Sequence, residues 1–163
     1  MNTSASHKTI IIRWEGPVTM DSLKRGTGGG LYLLSGLCKY ERKDSIQYCG
    51  ITERDFPDRF AQHHKVSLIR RNLRCWTGTV IYPKRASRTT LETAESCLIY
   101  FAQPPLNDRK TVNPPKATTV ISHWFKPNGE PRYNQQGLLS HFPDVVSWDG
   151  SHWREGNLRV WEE

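Results

Sequence analysis

Residues 30–51 read GLYLLSGLCKYERKDSIQYCGI. Two apolar runs containing tyrosine and β-branched or leucine residues flank a polar turn through Lys39 and Asp44, a pattern that predicts a β-hairpin. Side chains alternate along a strand, which places Tyr32 and Leu34 on one face of the first strand and Ile46, Tyr48 and Gly50 on one face of the second.

Working outward, Asp55-Phe56-Pro57 supplies a capping acid and a first-turn proline, and predicts a helix running through His64. On that helix Arg59 and His63 share a face, whereas His64 points about 100° away. Residues 76–82, WTGTVIY, are β-branched and aromatic and stop at Pro83, which predicts a third strand. Thr89 and Glu92 form a capping box for a second helix through Ala102, ended by Pro104-Pro105. Upstream, TIIIRW at 9–14 stops at Glu15-Gly16-Pro17 and reads as an edge strand in a lead-in spanning 1–29. From about Lys110 the chain is proline-rich and then aromatic. Val145–Gly150, Trp153 and the run 158–161 suggest a closing hairpin with an Asp-Gly turn. Trp124, Trp148 and Trp153 read as a small satellite core in preference to base-stacking platforms.

A chain of 163 residues, 36% hydrophobic and 24% charged, has room for one core and a modest appendage. It contains no apolar run of the roughly 18 residues that a membrane helix needs. The polar start lacks the features of a signal peptide, so the expected compartment is the cytoplasm. Cys38, Cys49, Cys75 and Cys97 form no C-x-x-C pair and read as small structural thiols. The net charge of +7 is local: from Arg59 to Thr90 there are eight basic residues, two histidines and no acid. A polyanion is the natural partner for that stretch.

Leu91, Leu98 and Ala102 make an apolar stripe on the second helix, and Glu95 lies within it. A carboxylate aimed at a core needs a cation or a hydrogen-bond network, because unpaired burial costs several kcal/mol, about 3–5 when a partner is removed. Taken together, Gly30-Leu31-Tyr32, Tyr48-Cys49-Gly50, Arg59 with His63, Ala94-Glu95 and Pro105-Leu106-Asn107 resemble the GIY-YIG nuclease superfamily over residues 30–107. Leu31 and Cys49 stand where that family's tripeptides carry isoleucine, and residues 110–163 match no part of it.

The resemblance implies an α+β fold: a small central antiparallel three-stranded sheet flanked by helices over 30–110, with a Trp-rich C-terminal extension, 111–163, packed on it. It implies a metal-dependent endonuclease hydrolysing phosphodiester bonds in DNA. Tyr32 activates or orients the attacking water, Tyr48 orients the phosphate or its partner tyrosine, Arg59 clamps the scissile phosphate, and His63 relays a proton. Glu95 holds Mg²⁺ or Mn²⁺, and Asn107 supports the site. Arg70, Arg71, Arg74, Lys84, Arg85 and Arg88 are expected to bind the nucleic-acid backbone. The partner is DNA or RNA, no membrane is involved, and the C-terminal region is the expected contact for a second copy or a protein partner. Restriction, toxin or effector, and repair settings stay open. The alternatives are an RNA nuclease and a nucleic-acid-binding module without catalysis.

Overall fold

A computed structural model describes residues 7–23, 28–132 and 142–158. Its strands are β1 (Lys8–Val18), β2 (Gly30–Leu37), β3 (Ser45–Thr52), β4 (Arg71–Tyr82), β5 (Thr118–Phe125), β6 (Val145–Trp148) and β7 (Trp153–Gly156), and its α-helices are α1 (Phe56–Ala61) and α2 (Arg88–Ala102). The seven strands form one sheet in the order β3-β2-β4-β1-β5-β6-β7. Every neighbouring pair is antiparallel except β1 and β5, which run parallel.

This corrects the expected architecture. The three predicted strands are adjacent as β3-β2-β4, but they are one end of a mixed seven-stranded sheet and not a small sheet between helices. The difference lies in β1 and β5. β1 is no edge strand: it pairs with β4 on one side and with β5 on the other. Ile10, Ile12 and Trp14 are all at most 2% exposed, so its inward face is as buried as any in the molecule. Pro17, which argued for an edge, sits at a register shift between Glu15 and Val18, beyond the last β1–β5 pair at Glu15 and Phe125. A proline at a bulge removes no ladder hydrogen bond.

Alternation along β2 divides the core in two. Leu31 and Leu33 face α2 and join a cluster with Trp14, Trp76, Leu98, Ile99, Val120 and Trp124. Tyr32 and Leu34 face the other way and join Phe56, Phe60, Ile69 and Cys75 beneath α1. A register shift after Leu34 turns Ile46 toward the first cluster, so it does not share the face of Tyr48 as strict alternation predicts. Trp124 and Trp148 are core residues, 3% and 9% exposed, and Trp148 pairs with Trp153 across the β6–β7 hairpin. β7 thus begins at Trp153, before the predicted second strand of that hairpin, and residues 159–161 of the prediction lie outside the described residues.

Both helix starts differ in detail. The cap of α2 is Ser87, whose side chain accepts from the Thr90 amide, and not the predicted Thr89. Asp55 caps α1 by position only, its carboxylate accepting instead from the Gly28 amide at 2.8 Å. The four cysteines are all free, and three of them are buried. Among the described residues no helix is long and apolar enough to cross a membrane.

Candidate active site

Tyr32 stands opposite Gly50 in the β2–β3 ladder. The glycine makes the packing possible, since a Cβ there would lie 2.5 Å from both Cζ and Oη of Tyr32 and 2.9 Å from the ring of Tyr48. The two tyrosine rings stack at 6.0 Å on this face, and Phe60 of α1 meets Tyr32 edge-on at 4.9 Å. α1 ends at Ala61, so His63 reaches the site from the turn beyond the helix and not from the predicted helical face. Its ring lies edge-on to Tyr48 at 4.7 Å, and His64 is exposed.

The hydrogen bonds here have a direction. His63 Nδ1 accepts from the Lys65 amide at 3.2 Å, which puts the ring proton on Nε2. Nε2 then donates to the Tyr32 hydroxyl oxygen at 3.0 Å. The Tyr32 hydroxyl proton is left for another acceptor, and Tyr48 is the phenol stacked beside it. The donor sense therefore runs from His63 to Tyr32, beside the ring of Tyr48.

Burial dominates the titration of all three. It pushes the Tyr32 phenol far above its usual range, helped by the neighbouring Tyr48 and opposed by the Arg59 guanidinium. Tyr48 is raised by burial and by the negative charge of Glu95, against Arg59 and the Tyr32 hydroxyl. His63 is pushed down to about 4 by burial and then by Arg59. Its neutral ring consequently contributes stability that is fully present above the unfolded value of 6.5 and lost as pH falls toward about 4, because in that window the unfolded chain binds the extra proton. Urea unfolding of wild type between pH 7 and pH 5 is expected to show a loss on the order of 1–3 kcal/mol that His63→Gln removes. An equally steep pH dependence in the variant would assign the titration to other groups.

Glu95 is on α2, and its side chain is 12% exposed. Its partner is Lys110, whose Nζ donates to Oε1. This is the cation that the apolar stripe demanded, and sequence reasoning misses it because the lysine sits 15 residues on, in an irregular segment with φ 65°. The negative charge of Glu95 raises Tyr48, Cys49 and, least, Tyr32, although α2 itself packs on the Leu31 and Leu33 face of the sheet. Asn107 is engaged with the backbone of β3. Its amide clasps the backbone of Cys49, accepting from N and donating to O at 2.9 Å each, while the Leu106 amide donates to Gln47 O. The free edge of β3 is thereby closed at the residues flanking Tyr48.

Among the described residues no group of three or more His, Cys, Asp or Glu side chains could hold a metal ion. A Mg²⁺ ion binds through one or two carboxylates and completes its shell with waters and phosphate oxygens, so the single carboxylate of Glu95 fits such an ion once Lys110 yields Oε1.

The basic residues do not form the one surround expected around the site. Arg70, Arg71 and Arg74 are exposed at the start of β4, whereas Lys84, Arg85 and Arg88 are exposed past its end. A 12-residue strand separates the groups by on the order of 35 Å. Arg88 is already committed to Glu53 and Glu92. Arg74 alternates with Cys75 and Thr77, so it projects from the face opposite Tyr32.

Compared with known proteins, the chain matches no family model, no curated protein and no solved structure.

Proposed function

We propose that this protein is a metal-dependent endonuclease of the GIY-YIG type that hydrolyses phosphodiester bonds in DNA. The observation that carries the reading is the convergence of Tyr32, Tyr48 and His63, the imidazole donating to Tyr32 and packing edge-on to both phenols, with the charges of Arg59 and Glu95 acting on the same phenols. A core has no need to bring two phenols and an imidazole together under the charges of a guanidinium and a carboxylate, and phosphoryl chemistry uses each of them.

The burial of Tyr32 changes the division of labour suggested by the sequence. Tyr32 is wholly buried and bonded to His63, so it holds the site together, while Tyr48, the less buried of the two phenols, is the one that meets the attacking water. Arg59, partly exposed and without an ion pair among the described residues, is left to bind the phosphate with its planar fork. Glu95 would hold Mg²⁺ or Mn²⁺, which supplies positive charge to the non-bridging oxygens and the leaving oxygen.

The test is incubation of the purified protein with supercoiled plasmid, single-stranded DNA and RNA, in Mg²⁺ or in EDTA. Nicked plasmid is expected first, in Mg²⁺ only, because one site cuts one strand. Glu95→Gln, with its folding checked by circular dichroism, is expected to cut at least about 10²-fold more slowly. Cutting of RNA alone would move the substrate class. One observation favours a non-catalytic nucleic-acid-binding module, namely the Lys110 ammonium on Glu95. Binding without cutting in any metal is the result that reading requires.

A further inference from the structure

The loop joining β2 to β3, residues 38–44, contains a residue that folding does not explain. Tyr40 is 87% exposed and holds φ at 70°, so a bulky side chain sits in left-handed backbone and gains no burial in return. For an L-residue with a Cβ that conformation is disfavoured. The surroundings of Tyr40 are cationic. The Lys39 ammonium lies 5.0 Å from the centre of its ring, and Lys39, Arg42 and Lys43 all belong to this loop of exposed and half-exposed residues. Glu41 is turned inward, its Oε1 accepting from the Cys38 amide at 2.6 Å and from Gln47 Nε2 at 2.8 Å. Asp44 is left as the exposed acid of the loop. Two more basic residues join the loop here: the Arg70 amide, just before β4, donates to Leu37 O at 2.7 Å, and Arg71 Nη2, at its start, donates to Glu41 O at 2.6 Å.

We infer that this hairpin tip is a nucleic-acid docking site, in which an unpaired base stacks on Tyr40 while Lys39, Arg42, Lys43, Arg70 and Arg71 meet the phosphates on either side. An exposed aromatic ring among fixed cations is the arrangement that single-stranded nucleic acid recognises, since every base offers a π face and every linkage a charge. The inference rests on the nuclease reading for its position relative to cleavage. Leu37, at the root of the loop, is five residues along β2 from Tyr32, or about 17 Å. Since the tip lies beyond Leu37, at about 3.4 Å per nucleotide it engages the strand at least about five nucleotides from the bond that is cut. It also accounts for the exposed Arg70 and Arg71, which lie at the far end of β4 from Lys84 and Arg85.

Binding is measured by fluorescence anisotropy in EDTA with a labelled 20-nucleotide single strand and the matching duplex, so that it is scored apart from cutting. Tyr40→Ala is expected to weaken single-strand affinity roughly ten-fold or more, with Tyr40→Trp restoring it. Lys39, Arg42 and Lys43 replaced together by serine are expected to flatten the slope of log affinity against log salt by about 0.7 for each phosphate no longer neutralised. Circular dichroism confirms that these loop variants fold. Wild-type affinity and slope in both variants would overturn the inference, as would tighter binding of the protein to anionic lipid vesicles than to the strand. Wild-type protein that binds through Tyr40 but never cuts leaves the docking site standing and removes the nuclease. Cutting that persists with binding indifferent to Tyr40 does the reverse, and a chain that binds no nucleic acid removes both.

Discussion

Trp14→Ala is expected to destabilise the protein by about 3–5 kcal/mol, close to the whole stability of many domains of this size. The indole is 0% exposed, stacks on Trp124 at 5.5 Å, and donates from Nε1 to Ser122 Oγ at 2.9 Å. It lies over Gly78 on β4, where a Cβ would come within 2.7 Å of the ring. Truncation would leave a void in the middle of the sheet, at the junction of β4, β1 and β5, together with an unanswered hydroxyl on Ser122. The melting temperature should fall by roughly 10 °C or more, with cooperativity retained if the sheet survives. A change below about 1 kcal/mol would mean that β1 is not an interior strand.

The second large effect is expected at Gly50. Gly50→Ala places a methyl group 2.5 Å from Tyr32 Oη, and the ring cannot retreat because Phe56 and Phe60 stand against it. Overpacking of this kind costs about 1–3 kcal/mol. Under the proposed function, the loss of cutting should exceed the loss of stability, because relief requires the Tyr32 hydroxyl to leave His63. A fall of about 10²-fold or more in cutting is expected at temperatures where the variant is folded. Gly156→Ala is the control: its Cβ would find only Val145 at 3.9 Å, and it should behave as wild type. Wild-type cutting by Gly50→Ala would remove the Tyr32–Tyr48 pair from the site.

Local signals make some of this legible and hide the rest. The β2–β3 hairpin, β4 and both α-helices announce themselves through alternation, capping residues and prolines, all of which act within a few residues. The pairing of β1 with β5 joins residues 8–15 to 118–125, and no periodicity reports a contact over that separation. Four apolar residues followed by Glu-Gly-Pro look the same whether the strand is central or peripheral until both neighbours are known. The candidate site divides in the same way. Tyr32 and Tyr48 are legible because the hairpin register brings them together, and Glu95 because a charge interrupts an apolar stripe. Lys110 is not, since its position depends on the path of an irregular segment. Nor is the burial of Tyr32, because α1 and the turn carrying His63 settle over it only in three dimensions.

The clasp of Asn107 on Cys49 has a consequence for association between chains. An outer strand normally offers a row of unpaired amides and carbonyls as a template for another polypeptide. On β3 part of that row is already taken, by Leu106 at Gln47 and by Asn107 at Cys49. A foreign strand adding there would have to evict Asn107, three residues before the Lys110 that neutralises Glu95. Growth of the sheet at this edge and rearrangement of the charged pair are therefore linked through the short stretch of chain from Asn107 to Lys110.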